Sequence, residues 1–439
     1  MEEQSRHDHL REKAALAPTT PTRRRRRIPF DPQLNPYEVP LDDLNVANPE
    51  LFRAEAFWPY FRRLREEAPV HFCRESQYGP YWSITRYDDI MQIEKNHEVF
   101  SSEFSLGGVT LMGTPSSGSD VPMFIQMDPP KHDAQRKAVA PKFTQRNLSD
   151  LEATVRERAG RILDGLPRNQ TFNWVEHVSI ELTAQMLATL FGVPQEERHQ
   201  LIRWSNIISN ADNPEVVKEK SSYFEALAQC GDYFDALWRD RKSSAPTGDL
   251  VSMLAHGPDT ADMSSQELLG NAVLLTVGGN DTTRNSISGG LLALNQFPEQ
   301  YDKLLKDPDL VRTMVPEIIR WQTPLTHMRR TALEDTEFRG QLIRKGDKVV
   351  MWYISGNRDP DAVDRPDEFI IDRRRPREHL SFGFGIHRCL GNRLAELQLR
   401  VLWEEILKRC PRIEVVGEPE RASSVLFRAI QSLPVRIAA

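Results

Sequence analysis

Apolar residues recur at helical spacing through most of the chain. The clearest stretches cover residues 49–67, 148–166, 174–191, 196–209, 216–241, 249–254 and 266–297. Recurrence at i, i+3, i+4 and i+7 is typical of helices that pack one face against a core. The last stretch meets no proline before Pro298. We therefore expect one long helix over residues 266–297 among several shorter ones.

Strand-like patterns are fewer and shorter. Residues 70–72 and 81–85 flank a turn that contains Gly79 and Pro80, which is typical of a β-hairpin. Other strand-like pieces lie at residues 348–354 and near the C-terminus. We find no internal repeat and no clean linker. The pattern predicts a mainly α fold with a small β part, in one domain over residues 46–439.

The segment 1–45 differs from the rest. It is charged and proline-rich, and it carries consecutive arginines at residues 23–27. Such a run could meet an anionic membrane surface or an acidic partner. The composition favours a disordered, solvated tail.

Composition excludes several classes of protein. The chain has 57 basic and 63 acidic residues, and this formal net charge of −6 argues against a nucleic-acid partner. No apolar run approaches the roughly 20 residues of a transmembrane helix. The N-terminus also lacks the apolar region of a secretory signal. We expect a soluble protein of the reducing cytoplasm.

Cys389 stands apart from the other three cysteines, which we expect to be buried and inert. It lies in the decapeptide Phe-Gly-Phe-Gly-Ile-His-Arg-Cys-Leu-Gly at residues 382–391. The glycines permit a tight turn and let a flat group approach the backbone. A helical pattern follows over residues 390–407, and a helix N-terminus favours a thiolate. A thiolate presented by a glycine-rich loop is typical of haem ligation.

The decapeptide resembles the haem-binding signature of the cytochrome P450 superfamily, Phe-x-x-Gly-x-x-x-Cys-x-Gly. The resemblance runs from about residue 49 to the C-terminus. It implies one haem domain with a long central distal helix, a proximal cysteine loop and small sheets. It also implies haem b as the cofactor, with Cys389 as the iron ligand and Phe382, Gly383 and Gly391 among the residues around the haem.

A further motif carries the resemblance. Glu317 and Arg320 match the family's Glu-x-x-Arg pair, whose members share a helix face. The family completes this pair with a later arginine, for which Arg373 fits best, although Arg374 and Arg375 follow it directly.

Four cations match the family's positions for binding the haem propionates. His132 and Arg136 are four residues apart, which places both on one helix face. Arg330 and His387 occupy the other two positions. Each alone is more often a surface charge, but all four are in register with one cysteine.

The run Gly278-Gly279-Asn280-Asp281-Thr282 interrupts the long helical segment. Each interior glycine costs roughly 1 kcal/mol relative to alanine. In the resembled family this run makes room for dioxygen, and the acid and alcohol deliver protons, here Asp281 and Thr282. The alternative is a helix kink with a threonine hydroxyl bonded to the preceding turn.

Several stretches resemble the bacterial terminal alkane and fatty-acid hydroxylase family, among them residues 278–286, 318–325, 351–359 and 387–400. The resemblance implies a haem-thiolate monooxygenase that uses O2 to hydroxylate an n-alkane or fatty acid, preferably at the terminal carbon. Attack at a chain end requires a narrow apolar channel. By family position, its expected walls are Leu274, Val277, Gly278, Leu325, Thr326, Met328, Leu426 and Phe427. Residues 104–123 are a candidate gating loop.

We expect two electrons to come from a separate ferredoxin and its NAD(P)H-dependent reductase, because the chain leaves no room for a fused reductase domain. Lys142, Arg388 and Arg393 are candidate docking charges, and a simple solvated surface is the equal alternative. Two other functions stay open. The same chemistry could act on a terpene or steroid side chain, or the protein could be a non-catalytic haem-thiolate sensor or carrier.

Overall fold

The computed structural model describes residues 7–16, 31, 34–113, 121–211, 213 and 215–438. The arginines at residues 23–27 lie outside these residues. The helices are α1 (Asp8–Leu16), α2 (Pro49–Arg53), α3 (Trp58–Glu67), α4 (Tyr87–Lys95), α5 (Lys131–Val139), α6 (Gln145–Asp164), α7 (Glu181–Phe191), α8 (Arg198–Ser209), α9 (Lys220–Ser243), α10 (Leu250–His256), α11 (Ser265–Gln296), α12 (Pro298–Lys306), α13 (Val311–Gln322), α14 (Tyr353–Gly356) and α15 (Asn392–Arg409). The mainly α prediction is confirmed.

The strands form small sheets. They are β1 (Val70–Cys73), β2 (Tyr81–Ile84), β3 (Phe100–Ser101), β4 (Thr171–Asn173), β5 (Met328–Ala332), β6 (Thr336–Phe338), β7 (Gln341–Ile343), β8 (Lys348–Met351), β9 (Glu414–Val415), β10 (Glu420–Arg421), β11 (Ile430–Ser432) and β12 (Pro434–Arg436). The largest sheet has the order β1-β2-β8-β5-β3, and its predicted β1–β2 hairpin is confirmed. Strand β5 pairs antiparallel with both β8 and β3.

The predicted long helix is α11. Ser264 and Glu267 form its capping box, in which each side chain accepts a hydrogen bond from the other residue's backbone N–H. Helices α7, α8, α9 and α13 pack around α11, so it lies inside the core.

The helix expected over residues 49–67 is two helices, α2 and α3. The break falls at Glu55, which has a φ of 54°. Its carboxylate lies 2.8 Å from Nε of Arg428 and 3.3 Å from Nη1 of Arg421. Two distant arginines thus hold Glu55 in a left-handed conformation that no local apolar pattern predicts.

The prediction of a disordered tail is wrong for residues 8–16, which form α1. This helix packs on α9: the Leu10 side chain is buried, and Nε2 of His7 lies 3.0 Å from Oδ2 of the buried Asp235. A Cβ atom at Gly231 would approach the His7 ring to 2.6 Å, so that glycine permits the contact. Among the described helices, none combines the length and apolar character needed to cross a bilayer.

Candidate active site

A largely apolar cavity of about 1410 Å³ lies between α11, β5 and the loop ahead of α15. Helix α11 contributes residues from Val273 to Ser286, and the loop contributes residues from Ser381 to Gly391. The described parts of the candidate gating loop, including Val109 and Met123, also line it. The cavity therefore joins the predicted distal helix and the predicted cysteine loop in one space.

The cysteine loop is tightly folded. Gly383 and Gly385 have φ values of 65° and 66°, and the Cys389 N–H donates to the Phe382 carbonyl at 2.7 Å. A Cβ atom at Gly385 would lie 2.2 Å from the Glu94 carbonyl oxygen, so only glycine fits there. Phe382, Gly383 and Gly391 line the cavity beside Cys389, as expected of cofactor-binding positions.

Cys389 is the only one of the four cysteines, all of them described, that lines the cavity. Cys73, Cys230 and Cys410 are buried elsewhere. Burial also raises the pKa of the Cys389 thiol, although the backbone N–H groups of Gly391 and Asn392 and the guanidinium of Arg136 lower it. The helix N-terminus alone therefore does not produce a thiolate, whereas a coordinated metal ion deprotonates a thiol outright.

Glu94 and Tyr353 hold this loop, and the sequence analysis missed both. Oε2 of Glu94, near the end of α4, accepts the Phe384 N–H at 2.6 Å, and Oε1 accepts the Tyr353 hydroxyl. Arg330 lies 3.5 Å from the same carboxylate. A buried glutamate at a helix end gives little signal in a single sequence, because its partners are hundreds of residues away.

The four predicted propionate ligands lie together. Arg136, Arg330 and His387 line the cavity, and the His132 and His387 rings are 4.3 Å apart. Nε2 of His132 and both ring nitrogens of His387 are buried without a hydrogen-bond partner. Burial lowers the pKa of both histidines. Buried polar atoms without partners are rare in proteins. Here His387 borders a cavity that carboxylates could enter, and the His132 ring packs directly against it.

Glu317, Arg320 and Arg373 form a buried ion-pair triad. Both Glu317 oxygens bond Arg320, at 2.7 and 2.8 Å, and Arg373 adds bonds at 2.9 and 3.2 Å. Arg320 also donates to the carbonyls of Asn357, Pro366 and Glu368. Arg374 and Arg375 are exposed. The triad thus anchors the segment that leads to the cysteine loop onto α13.

The glycine pair in α11 does not interrupt the helix, which is continuous through it. Nothing lies within 4 Å of a Cβ placed at Gly278, whereas one at Gly279 would meet Leu187 of α7 at 2.8 Å. Gly278 therefore opens space at the cavity, and Gly279 allows α7 to pack closely. The Thr282 hydroxyl lines the cavity and donates to the Gly278 carbonyl at 2.9 Å.

Asp281 does not line the cavity. It is buried behind the helix, where Oδ1 lies 2.7 Å from Nη2 of Arg284 and Oδ2 accepts the Ser205 hydroxyl at 3.1 Å. Arg284 also donates to Asn206 at 2.8 Å. The structure thus separates the two residues expected to deliver protons, with the acid held on α8.

Seven of the eight expected wall residues line the cavity, and Thr326 does not. Thr326 is fully buried and its hydroxyl donates to the Val425 carbonyl, because its side chain turns away from the cavity. Among the candidate docking charges, Arg388 and Arg393 are exposed near Cys389. Lys142 instead donates to the Gly248 carbonyl at 2.6 Å.

Comparison with known families decides the identity of this site. Residues 49–421 match the family model described as Cytochrome P450. The chain belongs to the cytochrome P450 family. This P450 is therefore a monooxygenase that uses O2 and redox partners, which excludes the sensor or carrier alternative.

Similar proteins act on several substrates. This P450 is 35% identical to linalool 8-monooxygenase of Pseudomonas putida, over 89% of its own length and 98% of that protein. It is 33% identical to the methyl-branched lipid omega-hydroxylase of Mycobacterium tuberculosis (strain ATCC 25618 / H37Rv), over 91% and 96%. The solved structure of CYP153D17 from Sphingomonas sp. PAMC 26605 is 44% identical, covers 91% of this chain and 100% of that one, and superposes with a TM-score of 0.85.

Cytochromes P450 bind haem b with a thiolate as the iron ligand. The residues of this cavity fit that group. Cys389 supplies the sulfur, glycines leave the backbone open beside it, and unpartnered histidine nitrogens and two arginines can bind carboxylates. The haem would thus be held at both its iron and its acidic edge.

Proposed function

We propose that this P450 hydroxylates an aliphatic chain, an n-alkane or a fatty acid, preferably at its terminal carbon. One observation carries this proposal: the expected channel walls, apart from Thr326, meet in one apolar cavity beside Cys389. The similarity to a methyl-branched lipid omega-hydroxylase supports it, because the omega carbon is the terminal carbon of a chain.

Each site residue then has a proposed role. Haem bound through Cys389 supplies the activation of dioxygen and the oxidation of the C–H bond. Arg136, Arg330, His132 and His387 bind its propionates. The Thr282 hydroxyl faces the cavity and supplies a proton there, and Asp281, which is buried on the other side of α11, relays protons from solvent toward it.

We also propose that the electrons come from a separate ferredoxin reduced by an NAD(P)H-dependent reductase. The exposed guanidinium groups of Arg388 and Arg393 lie close to Cys389 along the chain. They provide a positive surface for an acidic electron carrier, and such contacts act mainly on the rate of association.

A spectral titration with n-alkanes, fatty acids and terpenes of graded length tests the substrate. Each CH2 group buried contributes about 0.8 kcal/mol, so affinity for linear chains should rise about fourfold per carbon until the cavity is full. Product analysis should show mainly the terminal alcohol. A spectral change limited to bulky rings would overturn the linear-chain proposal.

Two leucines of α11 provide a matched pair of variants. Leu274 lines the cavity, whereas Leu291 is fully buried away from it. Leu274→Ala should lengthen the preferred chain. Leu291→Ala should lower stability by roughly 2–5 kcal/mol and leave the preferred length unchanged. Equal shifts in both variants would mean that the cavity does not select the chain.

Oxidation of a terpene is the second candidate. The similarity to linalool 8-monooxygenase, which covers nearly the whole of both chains, favours it. A terpene also has apolar chain ends, so the two candidates differ in the width of the cavity rather than in its chemistry. The terpene arm of the titration separates them.

A further inference from the structure

The two faces of strand β5 have different neighbours. Met328 and Arg330 line the cavity, whereas Arg329 and Thr331 between and after them do not. Successive side chains of a strand point to opposite faces. Arg329 and the preceding His327 are nonetheless almost fully buried, at 4% and 0% exposure. Both therefore contact protein on the face away from the cavity.

Arg329 binds the segment 106–113, which we call the cavity loop. Its Nη1 donates to the Gly107 carbonyl at 3.0 Å, its Nη2 donates to the Leu106 carbonyl at 2.9 Å, and its backbone N–H donates to Val109 at 2.8 Å. Burial lowers the pKa of Arg329 to about 10, which leaves it charged at neutral pH. Within the described part of the chain it forms no salt bridge, so its charge is directed at loop carbonyls.

The cavity loop is shaped around this guanidinium. Gly107 has a φ of 105°, and a Cβ atom there would lie 2.4 Å from Nη2 of Arg329. A Cβ atom at Gly113 would lie 3.2 Å from Nη1. Two glycines thus leave room for one side chain. Between them, Val109, Thr110 and Met112 line the cavity.

His327 joins the same loop to the turn near the C-terminus. Its Nε2 accepts the Leu111 N–H at 3.3 Å, and its Nδ1 lies 3.0 Å from the Val425 carbonyl oxygen. Since a carbonyl only accepts, Nδ1 carries the proton. Burial lowers the pKa of His327 to about 4, so this neutral form persists at neutral pH. Leu426 and Phe427, directly after Val425, line the cavity.

We infer that His327 and Arg329 are positioning residues that select which carbon of the substrate is oxidised. They touch no part of the cavity, but they fix two of its walls relative to β5, whose other face carries Met328 and Arg330. If these walls shifted, the end of the substrate chain could move beyond the position where oxidation takes place, and an internal carbon would be oxidised instead. The inference rests on the proposed function, since it concerns the placement of an aliphatic chain.

The test is the ratio of terminal to subterminal alcohols from one substrate of fixed length. The variants are Arg329→Gln, His327→Leu and Gly107→Ala, the last of which crowds the guanidinium without changing β5. Because a misplacement of about 1 Å can cost up to about 100-fold in rate, we expect the ratio to fall about tenfold or more. His327→Gln, which keeps an acceptor for Leu111, should restore part of it.

Controls separate positioning from stability. Leu163→Ala in α6 removes a fully buried side chain that does not line the cavity, so it should lower stability and leave the ratio unchanged. The ratio does not depend on how much enzyme folds. Unchanged ratios in all three variants would overturn the inference. A wild-type enzyme that oxidises no aliphatic chain would instead refute the proposed function.

Discussion

The Thr282 hydroxyl donates to the Gly278 carbonyl one turn earlier. This bond by itself would indicate only a structural role, because threonines inside helices often bond to the preceding turn and bend the helix. Its place on the cavity wall favours a role in proton delivery. Thr282→Ala should therefore uncouple NAD(P)H consumption from product. Groups that transfer protons typically contribute roughly 10²–10⁴-fold, and we expect the loss of coupled turnover near the lower end because water can replace the hydroxyl.

Thr276 is the matched control on the same helix. Its hydroxyl donates to Ala272 at 2.7 Å, it is buried, and it does not line the cavity. Thr276→Ala should keep wild-type coupling. If the product yield per NAD(P)H is the same in both variants and in the wild type, Thr282 has no role in proton delivery.

At the scale of elements, α6 and α15 are joined by charges around Glu405. Burial raises the pKa of Glu405, but bonds from Lys408, Arg156 and Arg409 outweigh it and lower the pKa to about 2. A depressed pKa in the folded state means that the contribution to stability is complete above the unfolded value of about 4.3. It is lost as the pH falls from there toward 2.

Glu405→Gln should accordingly lower stability at pH 7 and flatten the dependence of stability on pH between about 4.5 and 2. Urea unfolding at several pH values measures both effects. The exposed pair of Glu157 and Arg161 on α6 provides the control, since Glu157→Gln should change stability by at most about 0.5 kcal/mol. An equally steep acid transition in the Glu405 variant would show that other carboxylates govern it.

Elements with a strong local pattern could be predicted from the sequence, and those fixed by distant partners could not. The apolar spacing of α11 and the glycines around Cys389 are local features. Strand β5 was missed because buried arginines break its apolar alternation, and the loop partners of Arg329 lie more than 200 residues away. The orientation of the Thr326 side chain away from the cavity likewise depends on its distant partner Val425.

The whole molecule should depend on its cofactor for stability. A ligand that binds only the folded state stabilises it in proportion to the logarithm of its concentration over Kd. Without haem, the buried nitrogens of His132 and His387 have no partner in the structure, and each such atom costs about 1–3 kcal/mol. In calorimetry we expect the apoprotein to unfold at a much lower temperature than the holoprotein. An unchanged Tm would contradict the assignment of these histidines to haem binding.

One consequence of β5 concerns how such an enzyme can change over generations. Alternate residues of the strand face the cavity and the cavity loop. Substituting one residue therefore changes the contacts on only one of these two faces. Inserting or deleting a single residue would instead swap the two sets, moving the Arg329 guanidinium to the cavity side and Met328 and Arg330 to the loop side. This strand can therefore vary in composition, but its length is fixed for as long as the chemistry is kept.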